Sequence, residues 1–158
     1  MTGEEELLEI SSGTEEFPYN WSAGHYWSKF FKGLRDEKTI YGIKCPSCGK
    51  VYVPPREICG RCFVRMSEWV DLGTEGVIEG FSVVRYPYIN PSTGKPKKIP
   101  FTSLTVRLDG ADTSMSHYLD ETDEKKIAIG RRVKAVFREQ RTGTIHDIEH
   151  FTLWHHPV

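Results

Sequence analysis

The second half of the chain has the residue pattern of β-strands. Apolar and polar residues alternate in short runs, and glycine, proline or aspartate interrupts these runs at turns. The pattern predicts five strands, at residues 77–84, 101–108, 113–119, 133–137 and 144–154. Gly73, Gly76 and Gly80 lie at the first strand, where glycine is typical of bends and bulges. Residues 120–126 are predicted to make a helical turn between the third and fourth strands.

Five strands with a bent first strand and a short helical insert describe an OB-fold, a partly open Greek-key barrel. A five-stranded meander fits the same pattern almost as well. The predicted fold class is therefore mainly β with an N-terminal helix, and the barrel topology is open at this point.

An aromatic helix is predicted ahead of the strands. Ser22 can cap a helix that runs to about Leu34. Large apolar residues at spacings of one, three and four share one broad face of it: Tyr26, Trp27, Phe30, Phe31 and Leu34. Two interpretations stand side by side. The face packs on the protein's own core, or it is an interface with a partner subunit.

The first sixteen residues contain six glutamates and no lysine or arginine. Such a segment buries little apolar surface and repels itself, so it predicts a mobile acidic tail, with a short helix possible around Leu7, Leu8 and Ile10.

The four cysteines of the chain form two pairs with metal-ligand spacing. Cys45 and Cys48 make one Cys-x-x-Cys pair, and ten residues later Cys59 and Cys62 make the second. Four thiolates satisfy a tetrahedral zinc ion and leave no position for water or substrate, so the site is predicted to be structural. Rubredoxin-type iron uses the same ligands, and a redox Cys-x-x-Cys pair does not explain two pairs in register. Gly49 and Gly60 are expected to relieve crowding in the tight turns.

The charge and hydropathy of the chain argue against several functional classes of protein. The net charge is −1 and the sequence pI is about 6.6, which argues against a nucleic-acid-binding protein, although a local basic patch stays possible. No apolar run has the ~18 residues that span a bilayer. The acidic N-terminus lacks the basic and then apolar pattern of a secretory signal, so a cytoplasmic protein is expected. In that reducing compartment cysteines favour metal binding over disulfides.

The cysteine segment resembles the rubredoxin-like zinc ribbon of the DUF35 family. The resemblance begins with the run YGIKCPSCGKVYVPPR, residues 41–56, and continues with the CGRC run at residues 59–62. Further matching positions are Trp69, residues 76–84, Pro100, Phe101 and residues 129–133, which resemble that family's OB-fold half. The helix with Phe30 and Leu34 resembles its N-terminal segment. The likeness spans about residues 20–155 and predicts three parts: an acidic tail and aromatic helix at 1–40, a zinc ribbon at 41–68, and an OB-fold domain at 69–158.

The resemblance implies a small acyl-CoA-associated subunit. Family members lie beside thiolases, thiolase-like aldolases or related acyl-CoA enzymes, where they bridge subunits and help enclose a CoA thioester without supplying the reacting groups. The number of cysteines in the chain agrees with this role. Thiolase chemistry needs a nucleophilic cysteine, and if all four cysteines bind metal, that thiol must come from a partner chain.

We therefore predict a non-catalytic zinc-binding subunit of a hetero-oligomeric thiolase-type complex that cleaves or forms a C–C bond in a β-ketoacyl-CoA. Lys95, Lys97 and Lys98 are candidates for binding CoA phosphates, although a solvated loop is the simpler interpretation. The alternatives are a single-stranded nucleic-acid-binding protein and a rubredoxin-like electron carrier. His146 and His150 have the spacing of metal ligands on a helix, but they lie on a predicted strand, which separates them by ~13 Å.

Overall fold

A computed structural model describes residues 8–11, 20–90 and 93–154. Within these ranges the chain is mainly β, with one short helical segment near its N-terminus. The strands are β1 (Glu9–Ser11), β2 (Asn20–Ser22), β3 (Tyr41–Lys44), β4 (Val51–Tyr52), β5 (Glu68–Asp71), β6 (Glu75–Val84), β7 (Phe101–Leu108), β8 (Met115–Leu119), β9 (Arg132–Phe137) and β10 (Ile148–Leu153). The helical elements are the α-helix α1 (Gly24–Lys32), a π-helical turn (Gly33–Glu37) and a 3₁₀ turn (Ile145–Asp147).

Strands β6 to β10 form a closed barrel with the order β10-β8-β7-β6-β9. The third strand, β8, pairs in parallel with the fifth, β10, through Phe151 and Leu119, rather than with β9, which follows it in the chain. A meander has no such crossover, so the OB-fold prediction is confirmed. A bulge between Ile78 and Gly80 bends β6, as the glycines predicted.

Gly76 allows the closest backbone approach in the barrel. A Cβ atom at this position would lie 2.5 Å from the Arg107 carbonyl oxygen and 2.9 Å from the Leu108 Cα atom, both on the paired strand β7. Both neighbours are backbone atoms and cannot rotate away, so only glycine fits here.

The fifth predicted strand and the helical insert differ in detail from the structure. Residues 120–126 form turns without a helix, although the Lys126 N–H donates to the Asp123 carbonyl oxygen. The segment from Thr144 begins with the 3₁₀ turn, and β10 starts only at Ile148. Asp147 causes this turn, because its buried carboxylate accepts hydrogen bonds from three backbone N–H groups, those of Thr142, Gly143 and Thr144.

The N-terminal segment was predicted only in part. The α-helix starts at Gly24, two residues after Ser22, whose hydroxyl accepts a hydrogen bond from the Gly24 N–H. Residues 9–11 form a strand that pairs with β2, so the helix considered around Leu7, Leu8 and Ile10 is wrong at residues 9–11. Residues 1–7 and 12–16 of the predicted mobile tail lie outside the described residues.

The helix face is mostly part of the protein's own core. Phe30, Phe31 and Leu34 are buried and join one cluster with barrel residues such as Leu104 and Phe151. The partner-interface prediction is wrong for these three side chains, because they are at most 5% exposed within this chain. Tyr26 and Trp27 keep exposed or half-exposed area.

The cysteine segment forms a three-stranded sheet with the order β4-β3-β5. Strand β5 pairs with β3 along its whole length, so residues 69–71 belong to the ribbon sheet although we assigned them to the OB-fold part. Thr113, which we placed in a barrel strand, instead fastens the ribbon: its hydroxyl binds both the N–H and the carbonyl of Val53. The Asp112 carboxylate accepts a hydrogen bond from the Val51 N–H, and the Asp112 backbone N–H donates to the Val51 carbonyl. Ribbon and barrel therefore share hydrogen bonds as well as a core.

None of the helices in the described ranges is long and apolar enough to cross a membrane.

Candidate metal centre

Two knuckles of the ribbon sheet carry the four cysteines, and both have the same backbone. In the first, the Cys48 N–H points at Cys45 Sγ (3.5 Å) and the Gly49 N–H donates to the Cys45 carbonyl (3.0 Å). In the second, the Cys62 N–H points at Cys59 Sγ (3.4 Å) and the Phe63 N–H donates to the Cys59 carbonyl (3.0 Å). The repeated pattern turns both sulfurs of each pair to the same side.

The residue that follows each pair has a left-handed backbone. Gly49 has φ 73° and Phe63 has φ 56°. The expected crowding is absent, because a Cβ on Gly49 would meet no atom within 4 Å and one on Gly60 would come no closer than 3.5 Å to Arg56. Glycine suits position 49 through its positive φ, and the matching position of the second knuckle is Phe63.

The four sulfur atoms have the separation that a tetrahedral ion requires. All lie within 4.8 Å of one another, and Cys48 Sγ is 3.8 Å from Cys59 Sγ. A tetrahedron with Zn–S bonds of about 2.3 Å has sulfur–sulfur edges of about 3.8 Å. Cys45 and Cys59 are fully buried, and Ile43 and Met66 pack beside them. The donor set thus fits a structural zinc ion with no open coordination position.

A buried tyrosine supports the cluster. The Tyr52 hydroxyl lies 3.3 Å from Cys59 Sγ. Its hydrogen bond, with smaller contributions from the backbone N–H groups of Arg61 and Cys62, lowers the pKa of the Cys59 thiol to about 6. The same contact raises the pKa of Tyr52 to about 12, because an ionised Tyr52 could no longer donate this hydrogen bond and would lie beside a thiolate. The hydrogen bond therefore favours the thiolate form that a metal binds. The spacing of the cysteines gives no signal for Tyr52, since its role depends on the pairing of β4 with β3.

A groove of about 1070 Å³ lies between α1 and the ribbon. It is lined by aromatic side chains and by cationic ones, among them Tyr26, Trp27, Lys29, Arg56, Arg65 and Trp69. The Lys29 ammonium lies 4.7 Å from the centre of the Trp69 ring, and the Tyr26 hydroxyl donates to the Met66 carbonyl. Arg65 pairs with Glu57 (2.6 Å). The lining of this groove is therefore both aromatic and cationic.

The three candidate lysines lie on a hairpin-like extension between β6 and β7. Lys95 and Lys98 are exposed, but Lys97 folds back onto the barrel. Its ammonium lies 3.9 Å from the Phe101 ring centre and 3.8 Å from that of Tyr118, whose hydroxyl it contacts at 2.5 Å. Lys97 thus already has partners, whereas Lys95 and Lys98 face solvent.

The histidines do not form a metal site in the described ranges. His150 lies 3.7 Å from the Asp120 carboxylate, and His146 lies on the 3₁₀ turn. Among the described residues, the cysteines are the group of three or more ligand side chains close enough to share an ion. Motif reading missed His117, which points into the barrel from β8 and contacts the Ile145 carbonyl at 3.2 Å. Burial lowers the pKa of His117.

Comparison with known proteins gives the family. Residues 33–67 match the domain described as the ChsH2 rubredoxin-like zinc ribbon, and residues 69–138 match the ChsH2 C-terminal OB-fold domain. A DUF35 domain-containing scaffold protein of Methanothermobacter thermautotrophicus is 33% identical over 104 residues, which are 65% of this chain and 74% of that protein. The chain belongs to the DUF35 family.

Other DUF35 proteins agree with this assignment. A DUF35 domain-containing scaffold protein of Methanocaldococcus jannaschii is 28% identical over 109 residues, 68% of this chain and 74% of that protein. A DUF35 protein of unknown function from Sulfolobus solfataricus has a similar crystal structure, with TM-score 0.56, 24% identity, and coverage of 72% of this chain and 78% of that one. The Ltp2-ChsH2(DUF35) aldolase has TM-score 0.56, 20% identity, and coverage of 73% and 86%. At these identities the two solved structures show the fold alone.

Proposed function

We propose that this DUF35 protein is a non-catalytic, zinc-binding subunit of a thiolase-type complex that makes or breaks a C–C bond in a β-ketoacyl-CoA. The observation that carries the proposal is the sulfur cluster. All four cysteines of the chain converge on one tetrahedral site, so a zinc ion there uses every thiol. The nucleophilic cysteine of thiolase chemistry then belongs to a partner chain.

The names of similar proteins support a partner enzyme. The two archaeal relatives are described as scaffold proteins, and one structural neighbour is an aldolase in which a DUF35 domain accompanies Ltp2. A scaffold role suits a chain whose metal site is closed, because its contribution is a rigid surface rather than a reacting group.

We assign the CoA thioester to the groove between α1 and the ribbon, because its lining is aromatic and cationic. Lys29, Arg56 and Arg65 line the groove together with exposed aromatic area of Trp27. Ammonium and guanidinium groups bind phosphates, and aromatic faces stack on an adenine ring. Lys95 and Lys98, on the extension between β6 and β7, stay separate candidates for CoA phosphates, whereas Lys97 would first have to leave Phe101 and Tyr118. We place the complex in the cytoplasm, where reduced thiolates persist.

Isolation of the tagged chain from a native lysate tests the proposal. We expect a stoichiometric thiolase-like subunit, identified by mass spectrometry, whose β-ketoacyl-CoA turnover depends on this chain. Replacement of Lys95 and Lys98 by alanine is expected to weaken CoA binding to the complex at low salt, whereas Lys125→Ala, on another exposed turn, should leave it unchanged. Turnover by the isolated chain, or a chain that assembles with no enzyme, would contradict the proposal.

A further inference from the structure

The two knuckles differ at one position in a way that their shared backbone does not explain. Gly49 and Phe63 each donate to the carbonyl of the first cysteine at 3.0 Å, and each has a positive φ. Glycine adopts this conformation without strain, but a phenylalanine does so only at an energetic cost. The first knuckle shows that glycine satisfies the same geometry, so the metal site itself does not require Phe63.

Burial does not compensate for this strain. Phe63 is 81% exposed, the most exposed of the large apolar side chains in the described ranges. Its neighbour Ile58 is 44% exposed and bridges to Arg65 across the same small hairpin. The Phe63 ring therefore gains little from burial to offset its positive φ. Strained residues of this kind cluster at functional surfaces, where a partner supplies the missing contacts.

The charge around Phe63 indicates the chemistry of the partner. Residues 44–65 contain five basic residues and one acidic residue, whereas the whole chain has a net charge of −1. The Arg56 guanidinium lies against the knuckle, since a Cβ on Gly60 would be 3.5 Å from its Nη1 atom. Arg61 and Arg65 flank the ring in sequence and are exposed. Since Arg56 and Arg65 line the groove and Arg65 pairs with Glu57, Arg61 is the cation that this surface offers beside Phe63. An exposed apolar ring next to a cation complements an apolar pocket with an acidic rim.

We propose that Phe63 is the anchor by which the second zinc knuckle docks into an apolar, acid-rimmed pocket of the protein subunit with which this chain assembles. The inference rests on the proposed function for the existence of that subunit. A protein pocket fits better than a nucleic acid, because a stacking surface uses several aromatic faces. Here the exposed neighbour is the aliphatic Ile58.

Three variants of the zinc-loaded full-length chain separate the ring from the backbone. Phe63→Ala removes the ring and keeps a strained residue, whereas Phe63→Gly removes both. We expect Phe63→Gly to melt about 2–4 °C above Phe63→Ala, because only glycine is unstrained here. Ile129→Ala, which removes another exposed apolar side chain (71%), is the matched control.

The probe is the partner subunit recovered with the wild-type chain, purified and titrated against each immobilised variant. Both Phe63 variants should bind it at least about tenfold more weakly, and Ile129→Ala should bind like the wild type. Arg61→Gln should reduce the salt dependence of binding. Unchanged affinity of the Phe63 variants would overturn the inference while the proposed function stands. A wild-type chain that recovers no subunit would end both. Self-association of the wild type that Phe63→Gly abolishes would also overturn it, in favour of a second copy.

Discussion

Removal of the Tyr52 hydroxyl tests how the protein matrix supports the metal centre. In the Tyr52→Phe variant Cys59 Sγ loses a donor at 3.3 Å in a fully buried environment, while the ring and its packing remain. A hydrogen bond to a charged group contributes about 1.5–3 kcal/mol. This amount corresponds to roughly 10–100-fold in zinc affinity, the range typical for supporting residues around a metal site.

The pH at which the zinc ion is released should shift in a definite direction in this variant. The Tyr52 hydroxyl is the largest of the causes that lower the pKa of the Cys59 thiol to about 6, so its loss raises that pKa toward the usual value. Protons then compete better with the metal, and the pH at which zinc is released moves upward. We expect zinc to leave Tyr52→Phe at a higher pH than the wild type.

A chelator competition assay at pH 7, with a colorimetric zinc indicator, measures the affinity. Tyr41→Phe is the control, because the Tyr41 hydroxyl binds the surface carboxylate of Glu37 at 2.6 Å and not a cysteine. If Tyr52→Phe and Tyr41→Phe released zinc at the same chelator concentration and the same pH, the reasoning about the hydrogen bond would be refuted.

Three further predictions concern the barrel and are measured by thermal and urea unfolding. Gly76→Ala should lower the free energy of unfolding by about 2–3 kcal/mol, because its Cβ meets backbone atoms. Gly80→Ala is the control: the nearest atom to its Cβ is 3.8 Å away, so it should change the free energy of unfolding by less than about 0.5 kcal/mol. Equal effects of the two substitutions would contradict the role of Gly76. Asp147→Ala should cost about 3 kcal/mol by leaving three N–H groups without their acceptor, and a loss under about 1 kcal/mol would count against that role. Burial lowers the pKa of His117, so this histidine binds a proton more readily in the unfolded chain than in the folded one. The free energy of unfolding should therefore fall as the pH drops below about 6.5. The fall should be smaller in His117→Gln, and an identical pH profile would show that His117 does not titrate in this way.

The metal centre could be predicted from the sequence because its geometry is local. Two residues between paired cysteines determine the knuckle, so Cys45, Cys48, Cys59 and Cys62 were identified from spacing alone. The left-handed residue of each knuckle was not predicted, although a comparison of the two pairs indicates where it lies. Gly49 follows Cys48 directly, and Phe63 follows Cys62 in the same way.

The barrel strands follow from the alternation of residues, but their closure does not. The parallel pairing of Leu119 with Phe151 joins residues far apart in the chain, and no local pattern specifies it. The inward position of His117 was visible in principle, since it lies two residues from both Met115 and Leu119 on one strand face. The helix face was ambiguous because apolar periodicity does not distinguish a core from an interface.

X-ray absorption at the zinc edge of the purified chain, with metal content measured in parallel, tests the central claim most directly. We expect one zinc ion per chain with four sulfur ligands at about 2.3 Å and no oxygen or nitrogen ligand. Iron in its place, a coordination shell with an open or water-bound position, or a folded chain without metal would contradict the closed tetrathiolate site and the assignment of catalysis to a partner.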